Sequence, residues 1–542
     1  MSTSEDLAAA LGGAGSVAPV EVGSSVRGSL TLYLRNASGE VVILPDPLGS
    51  GLVYRLAAGQ TELISSDLAL LVRVAADLGI TVRKSLGYLA LLVATGSGGL
   101  GLTPYEGVEV LDPGTWVKVG PDGATYLDYP ETAQLTGPVG DYETGKAEAR
   151  EDFLTNVRSA ANHPVETRIC HLTGGSDSRL VAAALRQADL GDRFLYYCMG
   201  GPGDPDYDFA SGICSGLALE MTSWSGYAEQ NQADSWQESM VGTLEATSGA
   251  LSTLATTWAV PVSSMVLSGG YGEFLRSFYN QGRPATMPGD ELAEHMFGQF
   301  SMGRRDEMCI LAPGHKRQLV AALQKRVDTG VERGVRSDAV LDYLYMTERN
   351  RFFVGEISRV LSHSSNRFDP LYSVAAGRVA LSMPGEERNA NVLGLDLLRE
   401  LAPNLAAMPF DRERYAGTYE DLRGAVPRAE LPKGAPVVHP RPPHIPYTAR
   451  LGWSFPSPNQ EQVRRARELG MQPRLMVTYD IVQRQLPELL GSVPRDELAS
   501  VLNLTLLNKY LQRPPGHRVI YRALSNLYGA LSWYVVDPSP AH

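Results

Sequence analysis

The chain has 542 residues and a mass of 58.6 kDa, more than one compact core holds, so roughly two to four domains are expected. Apolar residues make up 44% and charged residues 20%, an ordinary globular composition, and a net charge of -12 argues against a nucleic-acid binder or an anionic-membrane binder. The four cysteines are too few for a disulfide scaffold and none sits at C-x-x-C spacing, while the nine scattered histidines, with His439 and His444 in one late loop, suggest no metal cluster.

In chain order, residues 1–25 are rich in Ala, Gly and Ser and read as a flexible leader; its start, Met1-Ser-Thr-Ser-Glu-Asp, is acidic where a secretion signal would be basic. From Val26 to about Tyr129 short alternating segments predict strands at 29–35, 40–44, 52–56 and 115–119. Turns follow at Asp46-Pro-Leu-Gly49, Asp112-Pro-Gly114 and Pro121-Asp-Gly123, and one helix is expected over about 67–78. The most apolar stretch, Leu86 to Leu102, is broken by five glycines and makes a poor membrane span, so a cytoplasmic location is expected.

Beyond a bridging region, apolar strands alternate with amphipathic helices, the pattern of an open parallel α/β sheet. Strands are expected at 166–172, 194–199 and 261–267, helices from Leu180 and over 210–219, and mainly helix beyond Gly330. The stretch from Asn280 to about Val340 carries no motif that assigns it a role. Residues 411–460 form a Pro-rich segment with the character of a lid, and loops of that length are usually functional or disordered. Charge is uneven: residues 411–542 carry 17 basic and 12 acidic residues, which leaves -17 for the first 410.

The strongest local signal is His171-Leu-Thr-Gly-Gly-Ser-Asp-Ser-Arg179, between a buried strand and an Ala/Leu-rich helix. Gly174 and Gly175 let the backbone turn tightly so that amides converge at a helix N-terminus, a setting for an anion such as phosphate. Thr173, Ser176 and Ser178 add hydroxyls, and Asp177 suits a Mg²⁺ ion shared with phosphate oxygens. The bland alternative is a plain strand-to-helix turn capped by Ser or Asp.

This string resembles the Ser-Gly-Gly-x-Asp-Ser pyrophosphate loop of the asparagine synthetase family of N-type ATP pyrophosphatases, with Thr173 in place of the first Ser. Val266-Leu-Ser-Gly-Gly-Tyr-Gly-Glu273 resembles the family's second glycine-rich loop, whose acidic residue helps to hold Mg²⁺. Asp46-Pro-Leu-Gly49, Ser65-Ser-Asp67 and Thr103-Pro-Tyr-Glu-Gly-Val-Glu-Val-Leu-Asp-Pro-Gly114 resemble landmarks of its glutamine-hydrolysing domain. That domain needs a cysteine directly after Met; Ser2 stands there and the first cysteine is Cys170, so the domain is expected to be inert.

The resemblance implies an N-terminal Ntn-hydrolase-like, inactive glutaminase-like domain over 26–135. It implies a parallel-sheet ATP pyrophosphatase domain with a helical C-terminal part over 136–542. The implied activity is that of an ATP-dependent amide-bond synthetase. It would adenylate a substrate carboxylate, release pyrophosphate and AMP, and join the acyl group to an amine within the same molecule, as β-lactam and lasso-peptide macrolactam synthetases do. ATP and Mg²⁺ are the expected cofactors, and the substrate is a small molecule or peptide carrying a carboxylate and an amine. A precursor peptide and leader protease are the partners expected for macrolactam formation. Ammonia-dependent amidation of a small acid and a non-catalytic nucleotide-binding scaffold are the alternatives.

Residue by residue, the resemblance assigns Thr173 to Ser178, Met199 and Gly270 to the nucleotide and Asp177 with Glu273 to the metal. Adenine and ribose contacts are expected from 197–200 and 202–206. The second loop aligns in two ways: matched on tyrosine, Tyr271 corresponds to the amine-deprotonating residue of β-lactam synthetases; matched on Leu267-Ser-Gly269, Glu273 takes the metal position. Tyr271 is open to a second reading as loop packing. Its partner would be Glu348, which reads equally as a helix ion-pair residue, and Lys433 in Leu431-Pro-Lys-Gly434 resembles the family's charge-stabilising lysine.

Overall fold

The computed structural model describes residues 27–36, 39–129, 135–137, 139–198, 202–223, 236–251, 264–279, 287, 289–300, 308–361, 365–440, 458–512 and 516–535. The leader, Met199 and Gly200, most of 280–307 and residues 441–457 lie outside them, as does His444.

The amino-terminal region is antiparallel. β1 (Thr31–Arg35), β2 (Val41–Pro45), β6 (Thr115–Gly120) and β7 (Gly123–Asp128) form one sheet in that order. β4 (Thr61–Ser65), β3 (Tyr54–Ala58) and β5 (Val108–Val110) form a second. The β6–β7 hairpin closes with Gly120 opposite Gly123, so Pro121-Asp122 is a two-residue loop, and Gly123 takes the φ of 111° that the closure needs. The expected helix spans Leu68–Asp77, its first turn capped where the Asp67 carboxylate accepts the Leu70 amide at 2.9 Å.

The expected boundary near residue 135 does not interrupt the core. The helix Leu86–Thr95, whose residues from Tyr88 to Thr95 are all buried, packs on the C-terminal helix Arg518–Val535 and joins the same apolar cluster as the parallel sheet. Its five side chains Leu89, Leu91, Leu92, Val93 and Tyr88 contribute roughly 1.5–3 kcal/mol each on burial. The glycines that end this apolar run therefore cap a core helix, beginning with Gly96 at φ 74°. Among the described residues no helix is long and apolar enough to cross a membrane.

The third sheet is parallel and six-stranded. Its strands are β8 (Thr167–His171), β9 (Leu195–Tyr197), β10 (Met221–Ser223), β11 (Ser264–Leu267), β12 (Asn366–Phe368) and β13 (Val438–Pro440), in the spatial order β12-β11-β8-β9-β10-β13. All four residues of β11 are buried, as are Ile169 and Cys170 of β8, because helices cover both faces of such a sheet. The molecule is thus mixed α/β with a largely helical C-terminal region. Strands β9, β10 and β13 run outward from one side of β8, and β11 and β12 from the other. The strand order reverses between β8 and β11, and ligands in open α/β sheets bind at such a crevice, beyond the carboxyl ends of the strands.

Sequence patterning misses β4 and β7 of the antiparallel sheets and the short strands β5, β10, β12 and β13. It also passes over the 21-residue helix Tyr142–Asn162, read only as a bridge; its Thr, Gly, Asn and charged residues dilute the apolar stripe that packs on the helix Val374–Ser382.

Candidate functional site

Two glycine-rich loops flank the crevice. The first leaves β8 and enters the helix Ser176–Gln187. Its hydroxyls hold its own shape: Ser178 Oγ accepts the Thr173 amide at 3.1 Å, and Thr173 Oγ1 accepts the Gly175 amide at 3.2 Å. Gly174 donates its amide to Asp206 at 3.2 Å, which fixes the loop against the helix Pro205–Leu217. Gly175 occupies the N-cap and has no side chain to cap the helix, so the first-turn amides of Ser176, Asp177 and Ser178 stay open to an anion.

The second loop leaves β11, and its glycines are the condition for its approach to the first. A Cβ on Gly269 would lie 2.8 Å from the Ser178 nitrogen, and one on Gly272 would lie 2.5 Å from the Asp177 Cβ. Gly270 faces Asp369, which a Cβ would meet at 2.5 Å, and gives its amide to Ser268 Oγ at 3.2 Å.

The loops bring Asp177 and Glu273 around a third residue, Arg276. Its Nη2 is 2.8 Å from Asp177 Oδ2 and 3.7 Å from Glu273 Oε1. Burial, then the charge of Asp177, push the Glu273 carboxyl up to about 7, with Arg276 pulling the other way. Arg276 Nε is buried without a hydrogen-bond partner.

Behind the pair, at the ends of β8, β11 and β12, lies a buried polar network. Ser268 Oγ donates to Asp369 at 2.5 Å, Arg367 reaches both Ser268 at 2.8 Å and Asp369 at 3.1 Å, and Ser358 caps the other Asp369 oxygen at 2.9 Å. Beside it the His171 ring meets Tyr197 at a tilt of 50°, its pKa pushed down to about 4 by burial and then by Arg367, so the ring is neutral at pH 7. Sequence reasoning gave no role to Arg276, Arg367 or Asp369, although the signal was present: Arg276 follows Glu273 by three residues, and the other two sit in Arg367-Phe-Asp-Pro-Leu-Tyr372, a segment that resembles the Arg-x-Pro-Phe-Leu-Asp stretch of the asparagine synthetase family.

The remaining expected residues fall elsewhere. Tyr271 takes a left-handed φ of 67° that turns its ring away from Asp177 and into the amino-terminal region. There it packs on Phe274 and Tyr372, and its hydroxyl meets Ser50 Oγ at 2.6 Å and Ser29 Oγ at 3.3 Å. Burial holds that hydroxyl far above its usual pKa. Glu348 accepts the Leu100 amide at 2.7 Å and pairs with Arg326 at 3.0 Å, and Arg326 also holds Asp112 at 2.7 Å. The expected Tyr271–Glu348 dyad is therefore corrected: each side chain clasps the amino-terminal region through different partners.

Lys433 is corrected likewise. It is exposed and precedes β13, which runs parallel to β8 through β10 and β9, so it stands at the amino edge of the sheet while both loops stand at the carboxyl edge. Its neighbours Leu431, Pro432 and Gly434 lie against Gly212, Gly216 and Ser215, toward the far end of the helix Pro205–Leu217. Met199 lies outside the described residues. The four cysteines are buried and not joined in disulfides, and burial raises the Cys170 thiol well above its usual value, the reverse of a nucleophile's requirement.

In comparisons with protein families and with characterised proteins, the chain matches no family model and no characterised sequence.

Proposed function

We propose that the chain is an ATP-dependent amide-bond synthetase of the asparagine synthetase kind, with an amino-terminal region that has lost glutaminase chemistry. The observation that carries this reading is the pairing of an uncapped helix N-terminus with two carboxylates, Asp177 and Glu273, across the switch point of a parallel sheet.

In this reading the β- and γ-phosphates of ATP take the amides of Ser176 to Ser178. The carboxylate pair fits Mg²⁺, which is commonly held by one or two carboxylates with phosphate oxygens and water supplying the rest. Among the described residues no group of three or more His, Cys, Asp and Glu forms a cage, so the phosphates are needed to complete the site. When bound, Mg²⁺ neutralises the phosphate charge that pyrophosphate release exposes.

The residues of the chain position and balance charge. The amides and Arg276 hold the leaving pyrophosphate, and a substrate carboxylate displaces it at the α-phosphorus to give an acyl-adenylate. An amine of the substrate then displaces AMP. Lys433 has no part in this reading. The test is to incubate the protein with Mg²⁺–ATP and carboxylate–amine substrates and to identify the nucleotide formed. AMP with pyrophosphate, abolished in Asp177→Asn, supports the reading; ADP with phosphate refutes it.

A further inference from the structure

The loop that carries Glu273 and Arg276 runs on into Ser277-Phe278-Tyr279, and this continuation is built rigidly. Ser277 Oγ lies 3.1 Å from both oxygens of Asp342, the Phe278 amide donates to Asp342 at 2.9 Å, and Arg388 pairs with the same carboxylate at 3.1 Å. Phe278 and Tyr279 pack on Tyr345, with ring centroids 4.5 and 5.5 Å away, yet 40% of Phe278 stays exposed. Tyr345 opens a π-helical turn, Tyr345–Arg349, a distortion that occurs frequently at functional sites.

Arg349 closes that turn. Its guanidinium lies 3.9 Å over the Phe353 ring and donates to Ser97 Oγ at 2.5 Å. That is the only hydrogen bond its five N–H donors make among the described residues, and no carboxylate pairs with it there. A half-buried guanidinium with no carboxylate partner among the described residues bears a desolvation cost that an incoming carboxylate relieves, and its planar fork suits a carboxylate held by two N–H groups. Burial holds the group below its usual pKa against the pull of Tyr279 and Tyr345, the two rings that flank Phe278; Arg522 adds a second positive charge nearby and Glu273 acts against it.

We propose that Arg349, with the exposed face of Phe278 beside Tyr345, forms a subsite for an aryl-substituted carboxylate. Its guanidinium would take the carboxylate, and the Phe278 ring the aryl group. The inference rests on the synthetase reading for its meaning, because this subsite lies next to the loop of Glu273 and Arg276, where an acyl group would await adenylation. It does not rest on that reading for its chemistry.

The probe is 3-phenylpropanoate, titrated by ligand-observed NMR against wild type and the Arg349→Gln, Arg349→Lys and Phe278→Ala proteins, with neutral 3-phenylpropanamide as the control. Wild type should bind the acid in preference to the amide. Arg349→Gln should weaken the acid roughly 10- to 100-fold, the value of a charge-assisted pair, and Arg349→Lys less. Phe278→Ala should weaken it roughly 2- to 10-fold, with the urea midpoint of each variant compared with wild type so that a loss of fold is told apart from a loss of the subsite. Failure of wild type to bind the acid, or equal binding by all four proteins, overturns the subsite. Mg²⁺–ATP binding is measured on the same proteins: its absence in wild type rejects the nucleotide reading, while acid binding lost only in the variants still upholds the anion subsite.

Discussion

Gly272→Ala perturbs the two-loop arrangement directly. The added Cβ would lie 2.5 Å from the Asp177 Cβ and 2.6 Å from its Cγ, where ordinary contact begins near 3.4 Å, so the loops must part by about 1 Å. Overpacking of this size costs about 1–3 kcal/mol. The functional loss should be larger, because a shift of about 1 Å in a reacting group costs on the order of 100-fold. Urea denaturation gives the first quantity, and Mg²⁺–ATP affinity with AMP formation the second. Gly314→Ala is the matched control: it lies in the first turn of the helix Pro313–Glu332 with nothing within 4 Å, and should change stability by less than about 1 kcal/mol. If Gly272→Ala equals wild type in both stability and nucleotide handling, the packing of one loop on the other is refuted.

Asp46 should give a pH signature, since burial raises its carboxyl from 3.8 to about 6 against the Gly51 amide and the Tyr372 hydroxyl. An acid raised in the folded state is a penalty above about pH 6 that lifts as pH falls toward 3.8, about 3 kcal/mol in all. Relative to Asp46→Asn, wild type should therefore gain about that much stability between pH 8 and pH 4 in urea titrations; a difference independent of pH refutes it. Arg179 is fully buried and donates to the Met408 and Pro409 carbonyls at 2.9 and 2.8 Å, so Arg179→Met should cost about 3–6 kcal/mol in the same assay. Lys433→Ala should leave AMP formation within about twofold, because an exposed charge at the opposite edge of the sheet is screened from the site; a loss beyond tenfold would return this lysine to the chemistry.

The sequence alone determined the elements that local chemistry dictates. The helix beginning at Asp67, the turn at Pro121-Asp-Gly123 and the strand-to-helix turn at Thr173–Ser178 depend on residues a few positions apart, so each was legible, whereas the capping bond of Asp67 and the returning strand β7 emerged only in the structure. The apolar runs of β8 and β11 likewise announced a sheet buried on both faces. What the sequence could not determine was which strand lies beside which, and so where its reactive groups point. Glu273 and Tyr271 are two residues apart, and their spacing permits either one to face Asp177. The left-handed backbone at Tyr271 sends its ring to Ser50 and leaves Glu273 to Arg276 and Asp177. Lys433 looked like a site residue because sequence carries no record of sheet edge; the parallel register of β13 places it on the wrong one. Glu348 and Arg349 are adjacent in the chain, yet one is neutralised by Arg326 and the other has no carboxylate partner among the described residues. That difference arises from elements more than twenty residues distant, and only tertiary packing brings a charge its partner or withholds it.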